Sequence, residues 1–216
     1  QLPKFALPHA IITSNGLDDT ALADGENAND RFLYASTPTA GLLLLLNMWS
    51  EVRQAIPTAR LDVYYGFWPY AMWNDQAHLV KLRKQIEPLL ELPGVHYHGM
   101  KSEVELAIAY ASAGFYAYPT DKAETSGIAL MKAQACGCVP LTSSVAVFGD
   151  EEKDYVVKVE GDPTEEATQV EGAKVAMRLL AEYVKSGRIS SVEVRTERLM
   201  EETWERVAER WLEVID

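Results

Sequence analysis

Between an apolar run, Phe115 to Tyr118, and a helix-forming stretch lies Pro-Thr-Asp-Lys-Ala-Glu-Thr-Ser-Gly-Ile, Pro119 to Ile128, which holds the residue types best suited to chemistry. Thr125, Ser126 and Gly127 are small, so at a helix start they leave backbone N–H groups open to an anion, and the helix dipole favours a phosphate there. Glu124, just ahead of them, is an acceptor-only carboxylate suited to hydroxyl groups. The same residues also make an ordinary loop and helix cap, with Glu124 an acid favoured by the dipole. Residue types alone leave both readings open.

Elsewhere the chemistry is thinner. No Gly-x-Gly-x-x-Gly follows the first predicted strand, which disfavours dinucleotide binding. His96 and His98 project from one face of a predicted strand, but two ligands are too few for a metal and no carboxylate is placed to join them, so a packing role is preferred. Trp68, Tyr70 and Trp73 can stack on a sugar or base, yet a loop packing cluster is the plainer reading. Cys136 and Cys138 are too close for an unstrained disulfide and too few for structural zinc; they read as reduced, small core residues.

These residues need elements to hold them. After 30 residues without a sustained period, containing Asn15-Gly16, Gly25 and two prolines, β-rich runs alternate with helical stretches. The strands are Arg31 to Ser36, Arg60 to Tyr65, Val95 to His98, Phe115 to Tyr118 and Cys138 to Thr142. The helices between them are Ala40 to Ala55, Trp73 to Leu92, Ser102 to Ala113 and Ser126 to Cys136. Helical crossovers favour parallel pairing, so the expected fold is α/β, a doubly wound parallel sheet of Rossmann-like type. In such sheets ligands bind beyond the carboxyl ends of the strands. That points to Thr37 to Gly41, Gly66 to Trp73, Gly99 to Lys101, Pro119 to Gly127 and Ser143 to Gly149. Past Asp150 the chain turns polar, then offers helices near Glu165 to Ser186 and Val192 to Val214; the second carries Trp204, Val207, Trp211 and Val214 as one apolar stripe. The expected organisation is a leading segment 1–30, a ligand-binding core 31–150, and C-terminal helices 151–216 packing on the same domain.

The chain has 216 residues with 48% apolar and 24% charged, enough for a substantial core. A net charge of -12 is the wrong sign for polyanions, so nucleic acid and anionic membranes are disfavoured partners. Its longest apolar run, Gly41 to Met48, is far below the roughly 18 residues of a membrane span, and no transmembrane segment is expected. The first residues, Gln-Leu-Pro-Lys, carry neither an initiating Met nor a secretory pattern, and are read as the start of a processed or excised piece. Reduced cysteines and no Asn-x-Ser/Thr sequon favour a cytoplasmic or cytosol-facing location.

The stretch Glu124-Thr-Ser-Gly-Ile-Ala-Leu-Met-Lys-Ala-Gln-Ala-Cys-Gly-Cys-Val-Pro-Leu-Thr-Ser143 resembles the donor-site signature of retaining GT-B glycosyltransferases. Further pieces agree in order: Asn15-Gly16-Leu17-Asp18, Tyr34 to Leu42, Val63-Tyr-Tyr-Gly66, Val95-His-Tyr-His-Gly99 and Trp204 to Trp211. The resemblance spans nearly the whole chain and implies the C-terminal half of a GT-B fold, the half that holds the donor, with the N-terminal acceptor-binding domain absent. It implies transfer of a glycosyl group from a UDP- or GDP-type nucleotide-sugar to a hydroxyl acceptor, with retention and with no cofactor or metal required. The lack of any Asp-x-Asp agrees with metal-independent chemistry.

Carried over by position, the resemblance gives Glu124, as the catalytic residue, the donor sugar's hydroxyls, gives the amides of Thr125, Ser126 and Gly127 the diphosphate, and counts Ile128 and Lys132 among the donor-binding residues. Thr37 and Gly41 face the diphosphate from the other side, Gly66 lets backbone pass close, and Gly99 and Met100 border the nucleobase. Two positions depart from the pattern. The second glutamate, which holds the ribose, falls at Lys132, and the basic residue before the first-loop glycine falls at Ala40. Either Lys132 has taken over phosphate neutralisation, or the donor site is weakened and the domain is a non-catalytic binding or assembly unit. An epimerase of the same architecture finds no pair of catalytic carboxylates here.

Overall fold

The computed structural model describes residues 15–18, 22–23, 25–66, 76–149, 157–186 and 202–215. Apolar β-rich runs become six parallel strands: β1 (Ala28–Ala35), β2 (Arg60–Tyr64), β3 (Val95–Gly99), β4 (Ala113–Tyr118), β5 (Val139–Ser143) and β6 (Val157–Val159). Their spatial order is β3-β2-β1-β4-β5-β6, the order of a doubly wound Rossmann-like sheet. All six residues of β4 are buried, as a strand covered on both faces requires.

The sheet differs from the sequence reading at both ends. β1 starts at Ala28 rather than Arg31, because Ala28 pairs with Ala113 ahead of an irregularity that restores register at Phe32 and Phe115. Asn29, Asp30 and Arg31 hide this extension behind polar side chains. The sixth strand was not expected: three residues centred on Lys158, following an acidic stretch, carry too little pattern to read, yet pair with β5 from Leu141 to Ser143.

The helices are α1 (Leu42–Ala55), α2 (Gln76–Ile86), α3 (Glu103–Ser112), α4 (Ile128–Ala135), α5 (Glu166–Ser186) and α6 (Trp204–Ile215). α1 packs with α2 and α5, and α3 packs with α4, forming two separate groups. Alternation along the strands assigns their sides. Phe32 stacks on Phe115 at 5.0 Å and meets Trp49 of α1 edge-on, whereas Tyr116 meets Tyr110 of α3. α1 buries Leu42, Leu45, Leu46, Trp49 and Val52, a helical stripe whose large side chains each contribute about 1.5–3 kcal/mol. α2 gives way to a 3-10 turn over Glu87–Glu91, since Pro88 has no N–H to continue an α-helix. Ser102 caps α3 in a capping box with Glu105; hydrogen bonds from the Ser102 amide and hydroxyl hold the Glu105 carboxyl down to about 2.

Cys136 and Cys138 are buried thiols in no disulfide, on either side of Gly137. Leu17 is buried against Met131 and Ala135, and it forms a parallel bridge with Thr203 just before α6. Gly16 lies against Trp204, where a Cβ would stand 2.5 Å from the indole. Within the expected apolar stripe of α6, Val207 is buried while Trp204 and Trp211 remain half-exposed. The run of that helix from Val192 to Glu201 lies outside the described residues, as do Trp68, Tyr70 and Trp73.

Candidate functional site at the carboxyl edge of the sheet

In this strand order the chain switches direction between β1 and β4, so the loops after them, Ser36–Gly41 and Pro119–Gly127, diverge from one point. They touch there. Gly41, at φ +95°, lies against the Pro119 carbonyl, where an added Cβ would stand 2.1 Å from the oxygen. The first loop is fixed from beneath by Tyr34, whose buried hydroxyl reaches the carbonyls of Thr37 at 2.6 Å and Ala40 at 3.0 Å. Burial, and then the neighbouring Tyr118 and Asp121, push this phenol well above its ordinary pKa, so it remains a donor. The Thr37 carbonyl also accepts from the Ala40 amide at 2.9 Å, and the Thr37 and Thr39 hydroxyls share a hydrogen bond at 2.6 Å.

The second loop leaves β4 through a tight turn, with Thr120 N–H donating to the Tyr118 carbonyl at 2.9 Å and Lys122 N–H to the Thr120 hydroxyl at 3.0 Å. This brings Glu124 back over the strand end, where the Tyr118 hydroxyl donates to its Oε1 at 2.6 Å. Burial first, and then this bond, raise the Tyr118 phenol to about 12. α4 begins two residues later than the Ser126 start expected from sequence. Thr125 and Ser126 form a bend, and Gly127 takes a left-handed conformation at φ +70° with Phe148 where a Cβ would be. Met131 N–H already bonds the Gly127 carbonyl, so the helix-start donors are the amides of Ile128, Ala129 and Leu130, and among the described residues no side chain caps them.

The remaining expected residues gather in two further places. Gly66, Tyr97 and Met100 meet at the ends of β2 and β3: a Cβ on Gly66 would lie 3.3 Å from the Tyr97 hydroxyl and 3.7 Å from Met100 Cγ. Gly99, at φ +67°, faces open space, and its carbonyl accepts from Tyr65 N–H at 2.8 Å. Lys132 crosses from α4 to α3, where its ammonium lies 2.6 Å from the Glu103 carboxylate. The structure therefore sets Gly41 with Pro119, Thr37 with Tyr34 and Ala40, Glu124 with Tyr118, the α4 start with Phe148, and Lys132 with Glu103. Sequence reading missed Tyr34, Tyr118 and Phe148, because aromatics at strand ends and turns carry the same signal as ordinary core.

On the α1 side of the switch point, Gly41, Pro119, Asn47, Asp121, Lys122 and Gln169 border a cavity of about 320 Å³. A separate polar cluster sits on β2. The buried Asp62 accepts from Arg60 Nη2 at 2.7 Å and from Arg60 Nε on both carboxylate oxygens at 3.0 Å, and lies 2.6 Å from His98 Nε2. His98 also stacks on Tyr64 at 4.6 Å. Burial raises the Asp62 pKa, but the bonds from Arg60 and His98 outweigh it and hold the carboxyl below its ordinary value. Among the described residues no three His, Cys, Asp or Glu are grouped to hold a metal ion, and no helix is long and apolar enough to cross a membrane.

A sequence profile described as glycosyl transferases group 1 matches residues 32–180. No curated protein matches the sequence. Among solved structures the chain is similar to the pneumococcal O-GlcNAc transferase GtfA in complex with UDP and GlcNAc, at 13% identity and a TM-score of 0.63 over 94% of this chain and 38% of that one. It is similar to sucrose-phosphate synthase from Thermosynechococcus elongatus, at 18% identity and 0.70 over 93% of this chain and 50% of that one. It is also similar to Anabaena HepE in complex with UDP and glucose, at 12% identity and 0.68 over 94% of this chain and 55% of that one. At such identities the likeness is one of fold, and the chain spans 38% to 55% of these proteins' lengths.

Proposed function

The chain belongs to the glycosyl transferases group 1 family, and from that premise we propose that it is the nucleotide-sugar-binding half of a retaining glycosyltransferase, working with an acceptor-binding half outside this sequence. One juxtaposition carries the reading: the uncapped amides of Ile128 to Leu130 and the Glu124 carboxylate lie on the same loop and helix start, at the switch point of the sheet. The amides suit a diphosphate and the carboxylate suits sugar hydroxyls. In transfer, the bond from the anomeric carbon to the diphosphate oxygen breaks, the nucleoside diphosphate leaves with the electron pair, and the acceptor oxygen bonds to that carbon and gives its proton to the departing diphosphate. The helix start stabilises the charge that builds on the leaving oxygen. No step calls on a metal. Thr37 and Gly41 border the diphosphate opposite α4, and Gly66, Gly99 and Met100 border the base. Cys136 and Cys138, buried and in no disulfide, favour a cytosol-facing location.

A second reading, a non-catalytic binding or assembly domain, is favoured by two residues. Ala40 puts no cation in the first loop, and Lys132 is engaged by Glu103. One titration separates the two: UDP, GDP and ADP, with their sugar conjugates, followed by melting temperature. UDP is the first probe, since two of the similar structures hold it. A rise with at least one ligand supports donor binding, and no shift with any of them at millimolar concentration supports the second reading.

A further inference from the structure

Tyr118 stands where both loops of the switch point can be reached from one atom. It is the last residue of β4 and is 4% exposed, with its ring held among Tyr34, Tyr116 and Phe148 at centroid distances of 6.1, 5.7 and 6.0 Å. Its hydroxyl lies 3.4 Å from Ser36 Oγ on the first loop and 2.6 Å from Glu124 Oε1 on the second. The first contact is too long to hold much, whereas the second is short and charge-assisted. Because the phenol is raised to about 12, it stays protonated at neutral pH and gives its hydrogen to the carboxylate. A buried, ring-locked donor fixes a glutamate side chain that would otherwise sample several rotamers on a half-exposed loop. Oε1 is thereby occupied, while Oε2 takes no hydrogen bond from the described residues and is left for a ligand hydroxyl.

We propose that Tyr118 is the positioning residue for Glu124: its phenol locks the carboxylate so that one oxygen faces the sugar of the bound donor. This rests on the donor-binding reading above. It predicts a split between sugar and nucleotide, because a locked Glu124 contributes to the sugar and nothing to the diphosphate.

The test is calorimetric titration of the full chain with UDP, GDP and ADP against UDP-glucose, GDP-mannose and ADP-glucose, in wild type, Tyr118→Phe, Glu124→Ala and the double variant. Tyr118→Phe should leave the affinity for the free nucleotide unchanged and weaken the sugar conjugate about tenfold, the scale of one charge-assisted hydrogen bond. In a Glu124→Ala background the same substitution should cost nothing further, since the group it positions is gone. If Tyr118→Phe weakens nucleotide and conjugate equally, or its cost persists in the Glu124→Ala background, Tyr118 is only a packing residue and the proposal is overturned. Glu124→Asp provides a route that leaves Tyr118 intact, by drawing the carboxylate back from the phenol. It should weaken the conjugate alone, and an unchanged conjugate affinity would count against the proposal. Loss of the sugar preference in Glu124→Ala but not in Tyr118→Phe sinks this inference and leaves the donor reading standing. Absence of binding by every probe in wild type sinks both.

Discussion

The α-carbon of Gly41 and the carbonyl of Pro119 are in contact across the switch point, with only 2.1 Å left between that oxygen and any Cβ placed on residue 41. The obstacle is backbone, which cannot rotate away, and Gly41 also sits at φ +95° just ahead of α1. The spacing between the two site loops is set by the absence of a side chain.

Gly41→Ala should therefore destabilise the chain by about 3 kcal/mol, from a left-handed alanine plus a forced shift of the loops, and lower Tm by about 6–12 °C. Gly99→Ala is the control. It has a similar positive φ but open space around it, and should cost only about 1 kcal/mol, or about 2–4 °C. Equal losses in thermal melts of the two variants would rule out the contact as the cause.

Gly127 meets a side chain rather than backbone: a Cβ there would stand 2.5 Å from Phe148 Cε1. Gly127→Ala should lower stability by about 2 kcal/mol, and adding Phe148→Leu should recover part of that loss by clearing the contact. Strict additivity of the two substitutions in urea unfolding would show that the ring is not the obstacle.

Much of the frame was legible because its signals are local. Phe115 to Tyr118 and Leu42 to Val52 carry apolar patterns that only a two-sided strand and an amphipathic helix satisfy. The site was legible as a segment and not as a geometry. Pro119 to Ile128 could be singled out by residue type, but the helix start two residues beyond Ser126 depends on Gly127 adopting φ +70° against Phe148, a contact from a later turn. Lys132 and Glu103 lie on different helices, and no spacing rule pairs them. β6 is three residues long and takes its identity from β5 alone.

Asp62 should shape acid stability. Its carboxyl titrates below the unfolded value near 3.9, so the stabilisation it provides is fully present above about pH 5 and is lost as pH falls through the lowered folded pKa. Asp62→Asn is expected to cost about 2 kcal/mol at pH 7, where Arg60 loses its charged partner. Urea unfolding of both proteins between pH 7 and pH 3 should show that gap narrowing below pH 4. A gap that stays constant to pH 3 would disprove the assignment.

Lys132 has three donors, and Glu103 occupies one of them. If the ammonium also neutralises the diphosphate, Lys132→Glu should weaken UDP binding severalfold, with a loss that shrinks in high salt, and Glu103→Gln should tighten it by releasing the ammonium. The pair itself, with Glu103 well exposed, adds at most about 1 kcal/mol, so stability should barely move. Tighter UDP binding by Lys132→Glu would exclude a phosphate role.

The bridge between Leu17 and Thr203 has a consequence for synthesis. Leu17 N–H donates to the Glu202 carbonyl at 2.6 Å, and Trp204 N–H returns a bond to the Leu17 carbonyl at 3.4 Å. A ribosome makes Leu17 long before the backbone it pairs with, Glu202 to Trp204, emerges. From the time Met131 and Ala135 emerge until then, the surface that Leu17 covers has no fastened lid, and the nascent chain carries an open apolar seam. A stall or truncation before residue 203 would release Leu17 as surely as a cut beside it.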